Sequence, residues 1–316
     1  MQALFLTGST GFIGSSLLDQ LQKLSDYQVV SAVRSAVCSA SDNAVVVGNI
    51  DGTTDYSSAL NGVDVVVHAA ARAHIMRDEV SDPLAEYRKV NVEGTLNLAK
   101  QAVAAGVKRF VFISSVNVHG ISSLEPYIEN DELAARDPFS VSKNEAEEGL
   151  RLLAQETGLE VVIIRPPLVY GPGVKANFLS LIKLSATKLP LPFGAVNNHR
   201  SMVYVGNLVS FIIHCLQHPA AANQTFLVSD GEDVSLRNLV TYIRLCLGRS
   251  PRLLPVPVGL FKLVGALTGK RGVVDRLVGD LQVDSTKART LLEWVPPFTV
   301  SQGIEATVAD FINKDK

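Results

Sequence analysis

The chain has 316 residues, 47% hydrophobic and 19% charged, enough apolar material for a sizeable core, which excludes a disordered or low-complexity protein. A formal net charge of -2 provides no global basic field for a polyanion, so no nucleic acid partner is expected. Three cysteines, Cys38, Cys215 and Cys246, have neither an even count nor metal-ligand spacing, which predicts no metal site and a reducing, cytoplasmic compartment.

The first apolar run, residues 3–6, lacks a basic start and a cleavage site and enters a glycine loop, so it is expected to be a strand and no signal peptide. Further β-branched runs at 28–33, 44–47, 63–68, 109–114 and 161–165 alternate with helical patterns. That alternation predicts an α/β fold, a Rossmann-like doubly wound parallel sheet with helices on both faces. Residues 120–139 form a long polar loop, followed by a helix. Asp137 is its expected N-cap, Pro138 its first position and Gly158 its terminator. Past Arg165, proline and glycine become dense (Pro166, Pro167, Gly171, Pro172, Gly173, Pro190, Pro192, Gly194), which predicts a smaller C-terminal α/β substrate domain. The division expected is residues 1–165 plus about 201–225 for one domain, and about 166–200 plus 226–316 for the other. The apolar run 256–267 contains Lys262 and is too short to span a bilayer. It either packs on the core or lies on a membrane surface, and packing is the expectation.

The first strand runs into Thr7-Gly8-Ser9-Thr10-Gly11-Phe12-Ile13-Gly14 and then a helix expected to begin near Ser15. Glycines let the backbone approach a pyrophosphate whose charge is met by the helix N-terminus, so this is a dinucleotide-binding loop. At the end of the second strand the chain reads Ala32-Val33-Arg34-Ser35, with no acid for ribose hydroxyls. Arg34 with Ser35 suits the 2′-phosphate of NADP(H); NAD(H) remains the other choice.

With that loop, several further segments resemble the extended short-chain dehydrogenases/reductases of the NAD-dependent, nucleotide-sugar epimerase/dehydratase family over nearly the whole length. They are Asn49-Ile50, His68-Ala69-Ala70-Ala71, Asn91, residues 114–120, Lys143 and residues 165–173. The resemblance places Gly8 to Gly14, Asn49, Ile50, Ala69, Ala70, Ala71, Asn91, Lys143 and Pro166 around the cofactor. It makes Ser115 and Lys143 catalytic, and it sets Arg72, His74, Asn117, His119, Asn177, Arg200 and Arg276 toward a UDP-sugar. Relatives often form homodimers through two helices, here 91–105 and 139–157. Asn49 departs from a common aspartate. Phe139 stands at the family's catalytic tyrosine.

In that family the tyrosine removes and returns the hydroxyl proton while hydride moves, its pKa lowered by the lysine. Phe139 therefore has three readings: an introduced Tyr→Phe change that disables the enzyme, a native enzyme using His119 or a water held by Ser115, or a non-catalytic dinucleotide sensor. Residues 165–178, 229–233 and 281–284 resemble bacterial surface-polysaccharide enzymes acting on UDP-N-acetylated sugars. The reading favoured is reduction of a UDP-4-keto-6-deoxy-N-acetylhexosamine to a UDP-N-acetylquinovosamine type of product. A UDP-N-acetylglucosamine or UDP-glucose 4-epimerase is the alternative. Ser115-Val116-Asn117 lacks the acidic pair of a dehydratase.

Overall fold

The computed structural model describes residues 1–35, 43–73 and 80–314. The strands are β1 (Gln2–Thr7), β2 (Tyr27–Val33), β3 (Ala44–Val46), β4 (Val65–His68), β5 (Arg109–Ile113), β6 (Glu160–Arg165), β7 (Leu168–Tyr170), β8 (Met202–Tyr204) and β9 (Thr225–Leu227). Seven of them make one parallel sheet in the order β3-β2-β1-β4-β5-β6-β9, and β7 pairs with β8 separately. Every residue of β4 and β5 is buried, as expected for parallel strands covered on both faces. Strand order reverses between β1 and β4, and such a switch point opens a crevice at the C-terminal strand ends.

The helices are α1 (Phe12–Gln22), α2 (Pro83–Arg88), α3 (Gly94–Ala104), α4 (Pro138–Thr157), α5 (Ala176–Ser185), α6 (Val205–Gln217), α7 (Leu236–Cys246), α8 (Val258–Leu267), α9 (Arg271–Val278), α10 (Thr286–Leu292) and α11 (Val300–Lys314). Leu17 and Leu21 of α1 and Leu208 and Phe211 of α6 cover one face of the large sheet against Leu4, Val65 and Val111. Leu98 and Ala102 of α3 and Ala146 and Leu150 of α4 cover the other, against Phe5, Val66 and Phe110. A third core joins α5, α7 and α11 through Ile182, Ile243 and Ile304. Asp230 ties this region to the β7–β8 pair and to α6: its carboxylate accepts from Tyr170 Oη at 2.8 Å, Asn207 Nδ2 at 2.7 Å and the Tyr204 amide at 2.8 Å.

Helix α4 has the boundaries its sequence signals. Asp137 accepts from the Ser140 amide, Ser140 Oγ answers at the Asp137 amide, and Gly158 ends the helix at φ 75°. Helix α1 differs: it starts at Phe12, not near Ser15, because Gly14 already packs inside its first turn. Strand β9 spans the boundary drawn at 225, so residues on both sides of it join the sheet. Between α2 and α3 the helix runs through a π-turn, Lys89–Glu93, that buries Asn91.

Candidate active site

The glycine loop is held by contacts that leave no room for side chains. Gly8 has φ 74°, and a Cβ there would lie 2.6 Å from the Ala70 amide nitrogen; one on Gly14 would lie 2.1 Å from the Gly8 carbonyl oxygen. The loop after β1 thus touches the one after β4, and α1 sits directly on it. Gly11 caps α1 without a side-chain hydrogen bond, so the first-turn amides head the crevice with their positive dipole end toward any anion. Glycine backbone, uncapped helix end and switch point together fit a dinucleotide pyrophosphate. Ser9 is buried, with Oγ directed at the Ala32 carbonyl, while Thr10 is exposed and Phe12 and Ile13 half-buried.

Arg34 and Ser35 are exposed just past β2. Past β3, Asn49 is exposed and its carbonyl accepts from Thr54 Oγ1 at 2.7 Å, while Ile50 lies so close to Gly94 that a Cβ there would meet its Cγ2 at 2.6 Å. Ala69, Ala70 and Ala71 follow β4 directly. His68, which precedes them, is structural: its ring bridges Thr7 Oγ1 at 2.7 Å and Thr95 Oγ1 at 2.9 Å. Burial, then the Lys143 charge, push its pKa down to about 3, so the ring stays neutral.

Asn91 clamps the cleft wall. Its Oδ1 accepts from the Arg72 amide at 2.8 Å, and its Nδ2 donates to the Arg72 carbonyl at 3.1 Å and to Ser142 Oγ at 2.9 Å. Ser142 in turn donates to the Phe139 carbonyl at 2.8 Å. Phe139 is half-buried, edge-on to Tyr87 with centroids 6.3 Å apart, and the Arg72 guanidinium lies 5.4 Å over the Tyr87 ring. One helical turn on, Lys143 is 1% exposed, with Nζ 3.9 Å above the Phe112 ring centre. Burial pushes its pKa down to about 7, with the Glu147 carboxylate pulling the other way. Ser115 caps a short 3-10 turn, Val116–Val118, by accepting from the Asn117 amide at 3.2 Å. That turn packs on α4 and is tied to Pro166, whose carbonyl accepts from the Val116 amide at 3.0 Å. Ser115, position 139 and Lys143 are thereby brought to one side of the cleft.

Behind Lys143 is a pair the sequence did not disclose. Glu147, fully buried on α4, accepts from Arg165 Nε at 3.0 Å and Nη2 at 2.5 Å, from Ser114 Oγ at 2.5 Å and from Arg151 Nη2 at 2.7 Å. Burial raises its pKa, but Arg165, Ser114 and Arg151 together hold it below the usual carboxylate range. The available signal was spacing: Glu147 follows Lys143 by four residues and shares its helix face.

His119 requires a correction. Expected as a sugar contact or surrogate acid, it is buried, with Nε2 2.8 Å from Arg165 Nη1 and its ring stacked 5.0 Å from Tyr127. Burial and then the Arg165 charge lower its pKa to about 4, so it braces Arg165 as a neutral ring. Of the residues expected toward the sugar, Arg200 donates through Nη1 to the carbonyls of Arg276 at 2.7 Å and Gly279 at 3.1 Å. The structure thus joins Arg200 to the end of α9, where the Arg276 side chain is exposed. Asn177 is exposed on the first turn of α5. His74 lies outside the described residues, as does Cys38. No helix among the described residues is long and apolar enough to cross a membrane, and no cluster there could hold a metal ion.

The sequence profile of the NAD dependent epimerase/dehydratase family matches residues 4–229. A UDP-glucose 4-epimerase of Vibrio cholerae is 49% identical over 314 residues, 98% of this chain and 96% of that protein. An N-acetyl-alpha-D-glucosaminyl-diphospho-ditrans,octacis-undecaprenol 4-epimerase of Escherichia coli O157:H7 is 32% identical over 98% of this chain and 96% of that protein. Among solved structures, UDP-glucuronic acid 4-epimerase from Bacillus cereus in complex with NAD matches with a TM-score of 0.79 at 22% identity, covering 100% of both chains. The last is a likeness of fold.

Proposed function

The chain belongs to the NAD dependent epimerase/dehydratase family of enzymes, and from that premise we propose that its site inverts carbon 4 of a sugar carried on a diphosphate, with a UDP-sugar as first choice. The observation that carries this reading is Lys143, buried on the face of α4 it shares with position 139 and set beside the turn that presents Ser115. A buried ammonium is costly unless its charge is used. The 49% identical Vibrio cholerae 4-epimerase supports inversion rather than net reduction.

These residues would hold a nicotinamide dinucleotide, which when bound would supply the acceptor and donor of hydride. Ser115 Oγ hydrogen-bonds the oxygen on carbon 4, and the Lys143 ammonium favours loss of the proton from a phenol at position 139. Asn91 and Ser142 hold that turn of α4 against the Arg72 backbone. Phe139 keeps the ring packing against Tyr87 and removes the proton transfer, so we take the present chain as a disabled Tyr→Phe form. With His119 committed to Arg165, a water on Ser115 is the remaining native substitute. Arg200, and with it Asn177 and Arg276, we assign to the diphosphate, because a guanidinium matches two phosphate oxygens at once.

We further place the dinucleotide-binding domain at residues 1–165 plus about 201–225 and the sugar-binding domain in the remainder. Two copies would pair through α3 and α4 in the cytoplasm. Arg34, exposed where an acid would mark NAD, favours NADP(H) and keeps the UDP-4-keto-sugar reductase as a second reading.

The test is Phe139→Tyr, offered UDP-glucose and UDP-N-acetylglucosamine without added reductant and followed by NMR. The carbon-4 epimer is expected, formed about 10²–10⁴ times faster than by the present chain, with cofactor affinity unchanged. No gain in rate would falsify the role given to position 139. Oxidation of NADPH by a UDP-4-keto-6-deoxy-N-acetylhexosamine, without epimerisation, would establish the reductase instead. Dinucleotide binding with no nucleotide-sugar binding would make the chain a sensor.

A further inference from the structure

Helix α8 faces the wrong way for a core helix. Its inward side is Val258, Phe261 and Gly265: Phe261 stacks on Phe193 with centroids 6.0 Å apart, and Gly265 is so close to α9 that a Cβ would lie 2.7 Å from Val274 Cγ2. On the opposite side Leu260, Leu263, Val264 and Leu267 recur at i, i+3, i+4 and i+7, one continuous stripe. They are 49%, 55%, 51% and 79% exposed, and Val273 of α9 beside them is 65% exposed. Gly265 is the one buried residue of α8, so the packing expected for this run from its sequence is confined to a narrow seam.

Charge indicates what the stripe meets. Residues 258–278 carry, besides Arg276, three exposed cations, Lys262, Lys270 and Arg271, and one acid, Asp275, in a chain whose total is -2. Asp275 is already near Arg271, at 3.8 Å. Two copies facing each other through this patch would set like charges together, which disfavours self-association. An apolar stripe rimmed by lysine and arginine is the arrangement that lies in the interface of an anionic bilayer, with aliphatic side chains among the acyl chains and cations on the headgroups.

We propose that α8 and α9 form a peripheral docking surface for an anionic membrane. The stripe sits on the hairpin whose end is hydrogen-bonded by Arg200, so docking would hold the arginine assigned to the diphosphate near the headgroup layer. The inference stands apart from the reaction: vesicle binding needs neither substrate nor a proton carrier at position 139.

The experiment is co-sedimentation of the whole chain with vesicles of phosphatidylglycerol and phosphatidylethanolamine, or of phosphatidylcholine alone, at low and high salt. Two variants accompany it, L263D/L267D and K262E/K270E, with their melting temperatures and molar masses in solution. The protein is expected to pellet with the anionic vesicles at low salt, and each variant to bind about ten-fold less or weaker still, with unchanged melting and mass. Failure to pellet overturns the proposal, as does binding that neither variant weakens. A fall in molar mass in L263D/L267D overturns it too and makes the stripe a contact between copies.

Discussion

Helices α4 and α8 break the same rule in opposite directions. α4 turns Ser140, Ser142, Lys143 and Glu147 inward, all buried, while its Leu152 is exposed. α8 turns its leucines outward and buries a glycine. Burying ionised groups costs free energy unless each is met by a partner; on α4 Glu147 meets Arg165, Ser114 and Arg151, and Lys143 lies over Phe112. Exposing leucines forgoes about 25 cal/mol for each Å² of apolar surface left in water. A fold keeps either deviation where something compensates: partners within the protein for α4 and, for α8, the second surface we propose.

The sharpest way to break this comparison is to strip α4 of one partner. Glu147→Ala leaves Arg165 buried without its carboxylate and is expected to cost about 3–5 kcal/mol in urea unfolding; a loss below about 1 kcal/mol would mean that the pair contributes little. A smaller effect is expected in the pH dependence. Lys143 has its folded pKa lowered to about 7 from 10.5. As pH falls from 10.5 toward 7, the unfolded chain takes up a proton that the folded one refuses, so stability falls over that window and levels off below it. Lys143→Met should flatten the curve there, as read by chemical unfolding at pH 7 and pH 9, and identical slopes for both proteins would remove the argument. The smallest effect belongs to α8. Leu263→Ser with Leu267→Ser should alter unfolding free energy by no more than about 0.5 kcal/mol per site, because neither side chain is packed. A cost of several kcal/mol would show that the stripe is covered within the folded protein.

Strands β1 to β6, the glycine loop and both ends of α4 are legible because each depends on neighbours within a few positions: apolar runs of four to six residues, Asp137 before Pro138, Gly158 at a left-handed φ; β7, β8 and β9, three residues each, are too short to give such a run. Helix α1 starts at Phe12, three residues before Ser15, because its first turn is fixed by Gly14 meeting Gly8, a contact across the loop that no local pattern announces. Glu147 with Arg165 escaped notice because a helix and the following strand, 18 residues apart, must first be packed together. The burial of His119 is not legible in the sequence, since nothing local announces that Arg165 and Tyr127 will enclose it. The outward face of α8 was the least legible. Its composition is apolar almost all round, so which side is buried depends on Phe193 and Val274, both outside the helix.

The π-turn at Lys89–Glu93 acts as a phase shifter. One surplus residue advances the helical phase by about 100°, so α2 and α3 form a nearly continuous rod whose two halves are indexed differently. Tyr87 is thereby aimed at Phe139, Asn91 at Ser142, and Thr95 at His68. The same residues wound as a regular α-helix would keep composition and hydrophobicity and re-aim every later side chain of the rod by nearly a third of a revolution. In this protein the length of a five-residue turn is itself information.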